Sequence, residues 1–225
     1  MAKQVSEGTC YLCGSTFSKA AMTRHLKSCK QKNDISEASS ARSPRETKTL
    51  HLVVEGRYLA DYWMHLEVPS DATLEMLDDF LRQYWLECCG HMSAFTIEGK
   101  TYSVAPMAEF DDNSMNIKLD KVLKPKMKFY HEYDFGTTTH LALKVISEEE
   151  SDIKSKDIQV LARNEPPPIP CASCGKPATQ VCTGCLWSGE GWLCQSCAAE
   201  HECGEDMFLP VVNSPRVGMC GYTGD

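Results

Sequence analysis

The chain has 225 residues and a mass of 25.1 kDa, with 42% hydrophobic residues, 24% charged residues and a mean hydropathy of -0.33. This composition is typical of a soluble folded protein and excludes a collagen, a coiled coil and a wholly disordered chain. No apolar run approaches the roughly 20 residues that a membrane helix needs, and the first ten residues carry no secretory signal. We therefore expect a cytoplasmic protein with no membrane partner.

The net charge of -8 is unevenly distributed. Up to residue 48 there are 9 basic and 4 acidic residues, from 49 to 164 there are 12 and 20, and from 165 to 225 there are 2 and 7. A surface for DNA or RNA is therefore expected at the N-terminus, since phosphate contacts need positive charge. A solvated basic tail is the alternative.

The 13 cysteines favour metal sites over disulfides, because a chain without a secretory signal is expected in a reducing compartment. Two thiolates three positions apart can bind one zinc ion at about 2.3 Å. Four such pairs occur: Cys10/Cys13, Cys171/Cys174, Cys182/Cys185 and Cys194/Cys197. The adjacent Cys88 and Cys89 are interpreted as structural thiols on a core helix, because free cysteine is commonly buried.

Composition predicts five segments. A polar stretch rich in Ser and charge buries too little apolar surface to fold, and the run NEPPPIP favours a stiff extended joint. The segments are a zinc finger at 1–30, a flexible linker at 31–48, a globular domain at 49–163, a proline-rich joint at 164–170 and a second cysteine module at 171–225.

The first segment has zinc-finger spacing. Its four predicted ligands are Cys10, Cys13, His25 and Cys29. Ser18 is a predicted cap for a helix from Lys19 to about residue 28, on which the last two ligands stand four positions apart and share one face. Phe17, Met22 and Leu26 are expected to form the small core. The pattern resembles the Cys-Cys-His-Cys variant of the ββα zinc finger, with structural zinc.

Five basic side chains of this finger are candidates for phosphate contacts: Lys19, Arg24, Lys27, Lys30 and Lys32. One finger reads only about 3 bp of DNA, so specific binding would need further contacts or a dimer. A finger that binds protein, or that simply caps the chain, is the alternative.

The C-terminal module offers eight ligands, enough for two closed tetrahedral zinc sites. Its first six cysteines resemble cross-braced MYND and B-box fingers. That resemblance implies one zinc on Cys171, Cys174, Cys194 and Cys197, and another on Cys182, Cys185, His201 and Cys203. Cys220 is an alternative to Cys203 or His201, and a single-zinc ribbon with spare thiols is a second arrangement. The apolar residues Trp187, Trp192, Met207, Phe208 and Leu209 would form either a groove for a protein partner or the module's own core.

The central segment predicts strands at 48–55, 62–68, 93–98, 126–133 and 138–146. A helix capped by Ser70 or Asp71 is expected to run through Trp85, and a short helix or turn is expected at 116–123. The order β-β-α-β-β-β suggests an α+β fold, β-grasp-like, flanked by two small zinc-bound modules.

The central segment also carries a family resemblance. Pro69 to Leu77 reads P-x-x-x-T-L-x-x-L, His91 to Phe95 reads H-x-x-x-F, and Tyr133 to Gly136 reads Y-D-F-G. These motifs resemble the prokaryotic plasmid pRiA ORF-like family, also called the insertion-element passenger TnpR domain. The family's D-x-W after Y-D-F-G is replaced here by three threonines. The resemblance implies a β-grasp-like fold and a mobile-element context, and no established chemistry.

Enzymatic candidates are His91, His131, His140, Asp134 and Tyr133. Asp134 and Gly136 are better explained by a turn in which Gly takes positive φ, and His91 by a helix C-terminal cap. We predict a non-enzymatic adaptor or regulator with three structural zinc ions and no small-molecule substrate, its finger on nucleic acid and its acidic body on an unidentified protein. A pure protein-interaction scaffold, and an enzyme with a site near His91 and His140, are the alternatives.

Overall fold

The computed structural model describes residues 6–37, 47–107, 112–151 and 157–224. The chain divides into two compact units, one made of Met1–Phe80 and Met92–Glu165 and the other of Leu81–His91 and Pro166–Asp225. None of the helices in these described ranges is long and apolar enough to cross a membrane.

The first unit is built on one ten-stranded sheet. Its spatial order is β2-β1-β10-β4-β3-β9-β8-β5-β6-β7, antiparallel except for the β6–β7 pair. The strands are β1 Glu7–Cys10, β2 Thr16–Ser18, β3 Thr47–Gly56, β4 Trp63–Pro69, β5 Ser93–Ile97, β6 Lys100–Ser103, β7 Asn113–Ser114, β8 Lys128–Tyr133, β9 Thr139–Ser151 and β10 Gln159–Asn164.

In the described ranges, three α-helices accompany this sheet: α1 Lys19–Glu37, α2 Leu74–Leu81 and α3 Leu119–Val122. Helix α2 buries Leu74, Leu77 and Leu81, whose spacing of three and four residues makes one apolar face. Strand β4 is buried along its whole length, because β3 and β10 pair on its two sides. The core therefore lies around the middle strands of the sheet.

Among the described residues, the second unit holds a smaller sheet of order β12-β11-β13, one short α-helix and two 3-10 turns, Leu186–Ser188 and Glu205–Met207. Its elements are β11 Gln180–Cys182, β12 Trp192–Leu193, α4 Gln195–Ala199 and β13 Phe208–Pro210. A π-helical turn, Arg82–Leu86, follows α2 and belongs to this unit. One apolar cluster of this unit packs Leu193 and Ala198 beside Cys171 and Cys194, and Trp85 and Leu86 of the π-helical turn are fully buried.

The mixed α+β class is confirmed, and the five predicted central strands are found, four of them with small shifts at their ends and β9 extending to Ser151, beyond its predicted end at 146. The β-grasp likeness stays a prediction. Strands β6, β7 and β10 were not predicted, and the finger was not expected to share the central sheet. It does so because β1 pairs with β10, with Gly8 opposite Asn164.

The predicted linker at 31–48 is described only at its ends. Residues 31–37 continue α1, which is therefore longer than the predicted helix, and 47–48 begin β3. Residues 38–46 lie outside the described part of the chain.

Candidate metal centres

The N-terminal cluster contains the four predicted ligands, whose donor atoms all lie within 4.8 Å of one another. Cys10 ends β1, Cys13 lies in the following turn, and His25 and Cys29 are one helical turn apart on α1. The turn is closed by the Gly14 amide, which donates to the Cys10 carbonyl at 2.8 Å, and Gly14 has a φ of 72° that favours glycine. Local spacing is therefore enough to bring the four donors together.

The core of the finger extends beyond the predicted residues. Met22 and Leu26 are fully buried, and the Phe17 ring stacks on His25 at 4.1 Å between centroids. Three residues of the central sheet complete this core: Trp63, Leu161 and Ala162. Sequence periodicity could not reveal them, because they come from strands that are distant in the chain.

The C-terminal cysteines form two clusters in the interleaved order that the cross-braced resemblance implied. One consists of Cys171, Cys174, Cys194 and Cys197, and the other of Cys182, Cys185, His201 and Cys203. Gly191 allows the close approach beside Cys182, since an added Cβ would lie 2.6 Å from the Cys182 carbonyl oxygen. Cys220 belongs to neither cluster, so it replaces neither Cys203 nor His201.

A fourth cluster was not predicted. It brings together Cys88, Cys89, His91 and Cys220, all from the second unit. The expectation that Cys88 and Cys89 lie on a core helix is wrong, because both follow the π-helical turn and Cys89 is exposed. The only sequence signal was that Cys88, Cys89 and Cys220 were the three cysteines outside the predicted ligand sets.

The donor spacings fit a tetrahedral zinc ion. With Zn–S at about 2.3 Å and Zn–N at about 2.0 Å, the edges of the tetrahedron are about 3.8 Å for S–S and about 3.5 Å for S–N. The Sγ–Sγ distances are 3.6 Å for Cys174–Cys194 and 3.7 Å for Cys185–Cys203. The Sγ–Nε2 distance from Cys185 to His201 is 3.4 Å. The four Cys/His clusters are therefore geometrically suitable for metal binding.

Thiols in one cluster have pKa values that move in opposite directions. A hydrogen bond from Ser15 is the main cause that lowers the pKa of Cys13 to about 6, whereas burial raises the pKa of Cys29 to about 12. One negative thiolate disfavours ionisation of the next. A bound divalent cation removes this conflict, because it stabilises every coordinating thiolate.

The predicted enzymatic residues do not form one site. His131 is buried with its Nε2 2.6 Å from Asp78 Oδ1, and Ser93 Oγ donates to the other carboxylate oxygen at 2.9 Å. This trio joins α2 to β8 and β5 inside the core. His91 lies with the cysteines of the fourth cluster, whereas His140 contacts Glu132 at 3.1 Å in the first unit.

The predicted turn at Asp134 is present, with Tyr133 buried just before it. Asp134 Oδ1 accepts hydrogen bonds from the backbone amides of Gly136 and Thr137 at 3.0 and 3.2 Å. The positive φ lies at Asp134 itself, at 65°, and not at Gly136 as predicted. Aspartate tolerates this conformation because its side chain bonds the local backbone.

The predicted nucleic-acid residues differ in exposure. Arg24 and Lys27 are exposed on α1, whereas Lys19 pairs with Glu55 and donates to the carbonyl of Ala60. The side chains of Lys30 and Lys32 lie outside the described part of the chain.

An open groove of about 610 Å³ runs from the first turn of α1 along strands β3, β9 and β8. Four of its lining side chains are basic and one is acidic: Lys19, Arg57, Lys128, Lys144 and Glu55. The Arg57 guanidinium lies 4.3 Å from the centroid of the Tyr130 ring. The groove therefore presents positive charge beside an aromatic face.

The apolar residues of the C-terminal module are divided between surface and interior. Trp187 is 75% exposed and Met207 is 39% exposed. Phe208 packs against the cluster that includes Leu193, and its ring meets His201 edge-on at 5.7 Å. Phe208, one of the residues of the predicted groove, therefore belongs to the core of the module, whereas Trp187 lies on its surface.

Comparison with known proteins identifies the family to which the central region is similar. The sequence pattern of the plasmid pRiA4b ORF-3-like proteins matches residues 56–175, which are 120 of the 225 residues and exclude the N-terminal finger. The crystal structure of the protein of unknown function MM3350 from Methanosarcina mazei Go1 is 15% identical, with a TM-score of 0.48, covering 54% of this chain and 72% of that one. No curated protein matches this chain. The chain belongs to the plasmid pRiA4b ORF-3-like protein family.

Proposed function

We propose that this protein is a zinc-binding, non-enzymatic adaptor or regulator whose N-terminal finger contacts DNA or RNA and whose acidic remainder contacts protein. The observation that carries the nucleic-acid part is the basic surface at the finger. Arg24 and Lys27 are exposed on α1, and basic side chains outnumber acidic ones by four to one in the groove that starts at the first turn of α1. Zinc in the Cys/His clusters would be structural, since four protein donors leave no open coordination position.

The groove would supply the additional nucleic-acid contacts that a single finger lacks. A finger alone reads about 3 bp, and Lys19 is already engaged by Glu55. Lys128 and Lys144 would add phosphate contacts, and the Arg57 guanidinium that lies over the Tyr130 ring would offer a cationic plane on which a base can stack. The reducing cytoplasm is the proposed setting, because zinc thiolates need reduced cysteines. A link to mobile elements is proposed from the plasmid origin of the family name.

The test compares two double variants that remove the same charge. Arg24→Ala with Lys27→Ala neutralises the proposed contact surface, and Lys100→Ala with Lys124→Ala neutralises two other exposed lysines. We expect the first pair to weaken binding to mixed-sequence DNA or RNA about tenfold or more at 50 mM salt. Its slope of log affinity against log salt should fall by about 2, since each phosphate contact contributes about 0.9. The control pair should change affinity less than about twofold.

Equal effects of the two pairs would contradict a local contact surface. An absence of binding by the unmodified protein at low salt would favour the second candidate, a pure protein-interaction scaffold. That candidate is supported by Trp187, which is 75% exposed on a module with net negative charge. Large exposed aromatic side chains are common anchors of protein interfaces.

A further inference from the structure

We propose that Cys88, Cys89, His91 and Cys220 bind a fourth zinc ion, which fastens the segment around Cys220 to the loop that follows the π-helical turn. The proposal does not depend on nucleic-acid binding. All four residues lie in the second unit. Three thiolates and one imidazole are a common ligand set of structural zinc.

The Sγ–Sγ distances of this cluster match the roughly 3.8 Å edge of a tetrahedral zinc site, and the imidazole nitrogen lies somewhat closer to the thiols than the roughly 3.5 Å S–N edge. Cys89 Sγ lies 3.7 Å from both Cys88 Sγ and Cys220 Sγ. His91 Nε2 lies 3.0 Å from Cys89 Sγ and 3.2 Å from Cys220 Sγ. A disulfide would need about 2.05 Å, so the thiols converge at tetrahedral spacing without being bonded to one another.

The backbone at Cys220 is held in an uncommon conformation. Its φ is 46°, and it stands between Gly218 at 79° and Gly221 at 73°. A residue other than glycine is strained in this region, and such strain commonly marks a functional constraint. Here the conformation turns the thiol of Cys220 toward Cys89 and His91.

The opposite loop is also ordered by side chains. Glu87 accepts a hydrogen bond from the Gly90 amide at 2.6 Å and another from Arg82 Nε at 2.7 Å. Gly90 has a φ of 79°. These contacts form the turn that carries three of the ligands, so the turn is arranged without the metal as a template.

A buried cation accompanies the cluster. Three thiolates on a zinc ion leave one net negative charge, and the guanidinium of the fully buried Arg216 donates to Cys88 Sγ at 3.4 Å. Ser214 links the same segment to the π-helical turn, because its hydroxyl donates to the Trp85 carbonyl at 2.6 Å. A buried charge needs an opposite partner, and the thiolate cluster supplies one for Arg216.

The cysteine count supports the same conclusion. The four clusters together use all 13 cysteines of the chain and three of its seven histidines. If the chain had only three metal sites, the convergence of the donor atoms of Cys88, Cys89, Cys220 and His91 to within 4.8 Å of one another would have no functional explanation.

The fourth site differs from the others in exposure. Each of the other clusters has at least one buried cysteine, whereas no donor residue of this one is buried. Solvent and chelators therefore reach its ligands more easily. We expect its zinc to be the first of the four to leave under a chelator.

The test is the zinc content of the full-length protein, measured by elemental mass spectrometry after gel filtration. The unmodified protein should hold four zinc ions per chain. Cys220→Ser, Cys89→Ser and the double variant should each hold three, because both cysteines bind the same ion. The control variant Met219→Ala, beside a ligand but not one, should hold four.

Three outcomes would overturn the proposal: three ions in the unmodified protein, four in both single variants, or two in the double variant when each single variant holds three. If Cys220→Ser misfolds and loses more than one ion, the zinc content of Cys89→Ser tests the proposal instead. The Cys89 side chain is exposed and lies in the loop after the π-helical turn, so its substitution disturbs the C-terminal segment less. Loss of more than one ion from both would exclude a site with a local role. Nucleic-acid binding does not enter these readouts, so failure of the proposed function is measured separately.

Discussion

Two buried histidines face each other across the central strands. His51 on β3 and His65 on β4 bring Nε2 and Nδ1 to 2.9 Å, and the Trp63 ring lies edge-on to His65 at 5.6 Å. Burial, followed by the charges of His51 and Lys19, lowers the pKa of His65 to about 3. His65 is therefore neutral in the folded protein at every pH where the protein is commonly handled.

This depressed pKa predicts acid destabilisation in a defined range. Between about pH 6.5, the ordinary histidine pKa, and pH 3 the unfolded chain binds a proton at His65 that the folded chain does not. The free energy of unfolding therefore carries no penalty from His65 above about pH 6.5, and it decreases as the pH falls from 6.5 toward 3. The slope is at most about 1.4 kcal/mol per pH unit. Urea unfolding at a series of pH values, monitored by tryptophan fluorescence, should show this decrease in the free energy of unfolding.

The matched variants are His65→Asn, which removes the titrating group, and His140→Asn, at a partly exposed histidine. The first should flatten the pH dependence of the free energy of unfolding between pH 6.5 and 4, even if it lowers stability at pH 7. The second should keep the wild-type slope. Because acid also releases zinc, the comparison is between slopes of variants that carry the same metal ligands. An unchanged slope in His65→Asn would show that another group is responsible.

At the scale of elements, the attachment of the finger depends on a glycine in β1. A Cβ at Gly8 would lie 2.3 Å from the Arg163 carbonyl oxygen and 2.6 Å from Cη2 of Trp63. The first contact is with the backbone of β10, which cannot move without breaking the β1–β10 pairing. The Trp63 ring belongs to the core that the finger and the sheet share. Strand β1 therefore has no room for a side chain at this position.

Gly8→Ala should consequently loosen the finger from the sheet, at a cost of about 1–3 kcal/mol or more. We expect a lower melting temperature in saturating zinc and faster hydrogen exchange of the β1 and β10 amides. Gly204→Ala is the matched control, because nothing lies within 4 Å of its added Cβ and its φ is -63°. That variant should stay within about 0.5 kcal/mol of the unmodified protein. Unchanged exchange in Gly8→Ala would mean that β1 adjusts without separating.

On the scale of the whole molecule, we expect the two units to depend on metal to different degrees. The sheet of the first unit buries an extended apolar core that includes Leu50, Leu52, Leu66 and Val145. The second unit holds three of the four clusters, and its cysteine module from residue 171 onward is a chain of about 50 residues whose apolar cluster of Leu193 and Ala198 includes two of the candidate ligands. In a small domain, zinc binding supplies much of the folding free energy.

Chelation should therefore unfold the units separately. In excess chelator at pH 7.5, we expect amides in 171–203 to exchange quickly, while those of β3, β4 and β9 keep their protection. Hydrogen exchange with mass spectrometry resolves these segments, and restored zinc should restore protection. Equal loss of protection in β3 and in the cysteine module would show that the sheet also depends on zinc.

The amino-acid sequence by itself determined the features that local spacing encodes. Spacing predicts that the two members of each Cys-x-x-Cys pair, and of the His25/Cys29 pair, share one cluster, because residues three or four positions apart are neighbours in turns and helices. The interleaved grouping of the C-terminal pairs was implied by the resemblance to cross-braced fingers. Alternation in the central segment likewise predicted most of the strands and the α+β class. The fourth cluster was decided by the tertiary structure, since His91 and Cys220 are separated by 129 positions. The same holds for Trp63 and β10 beneath the finger, because contacts between distant residues leave no period in the sequence and depend on how the strands pair and pack.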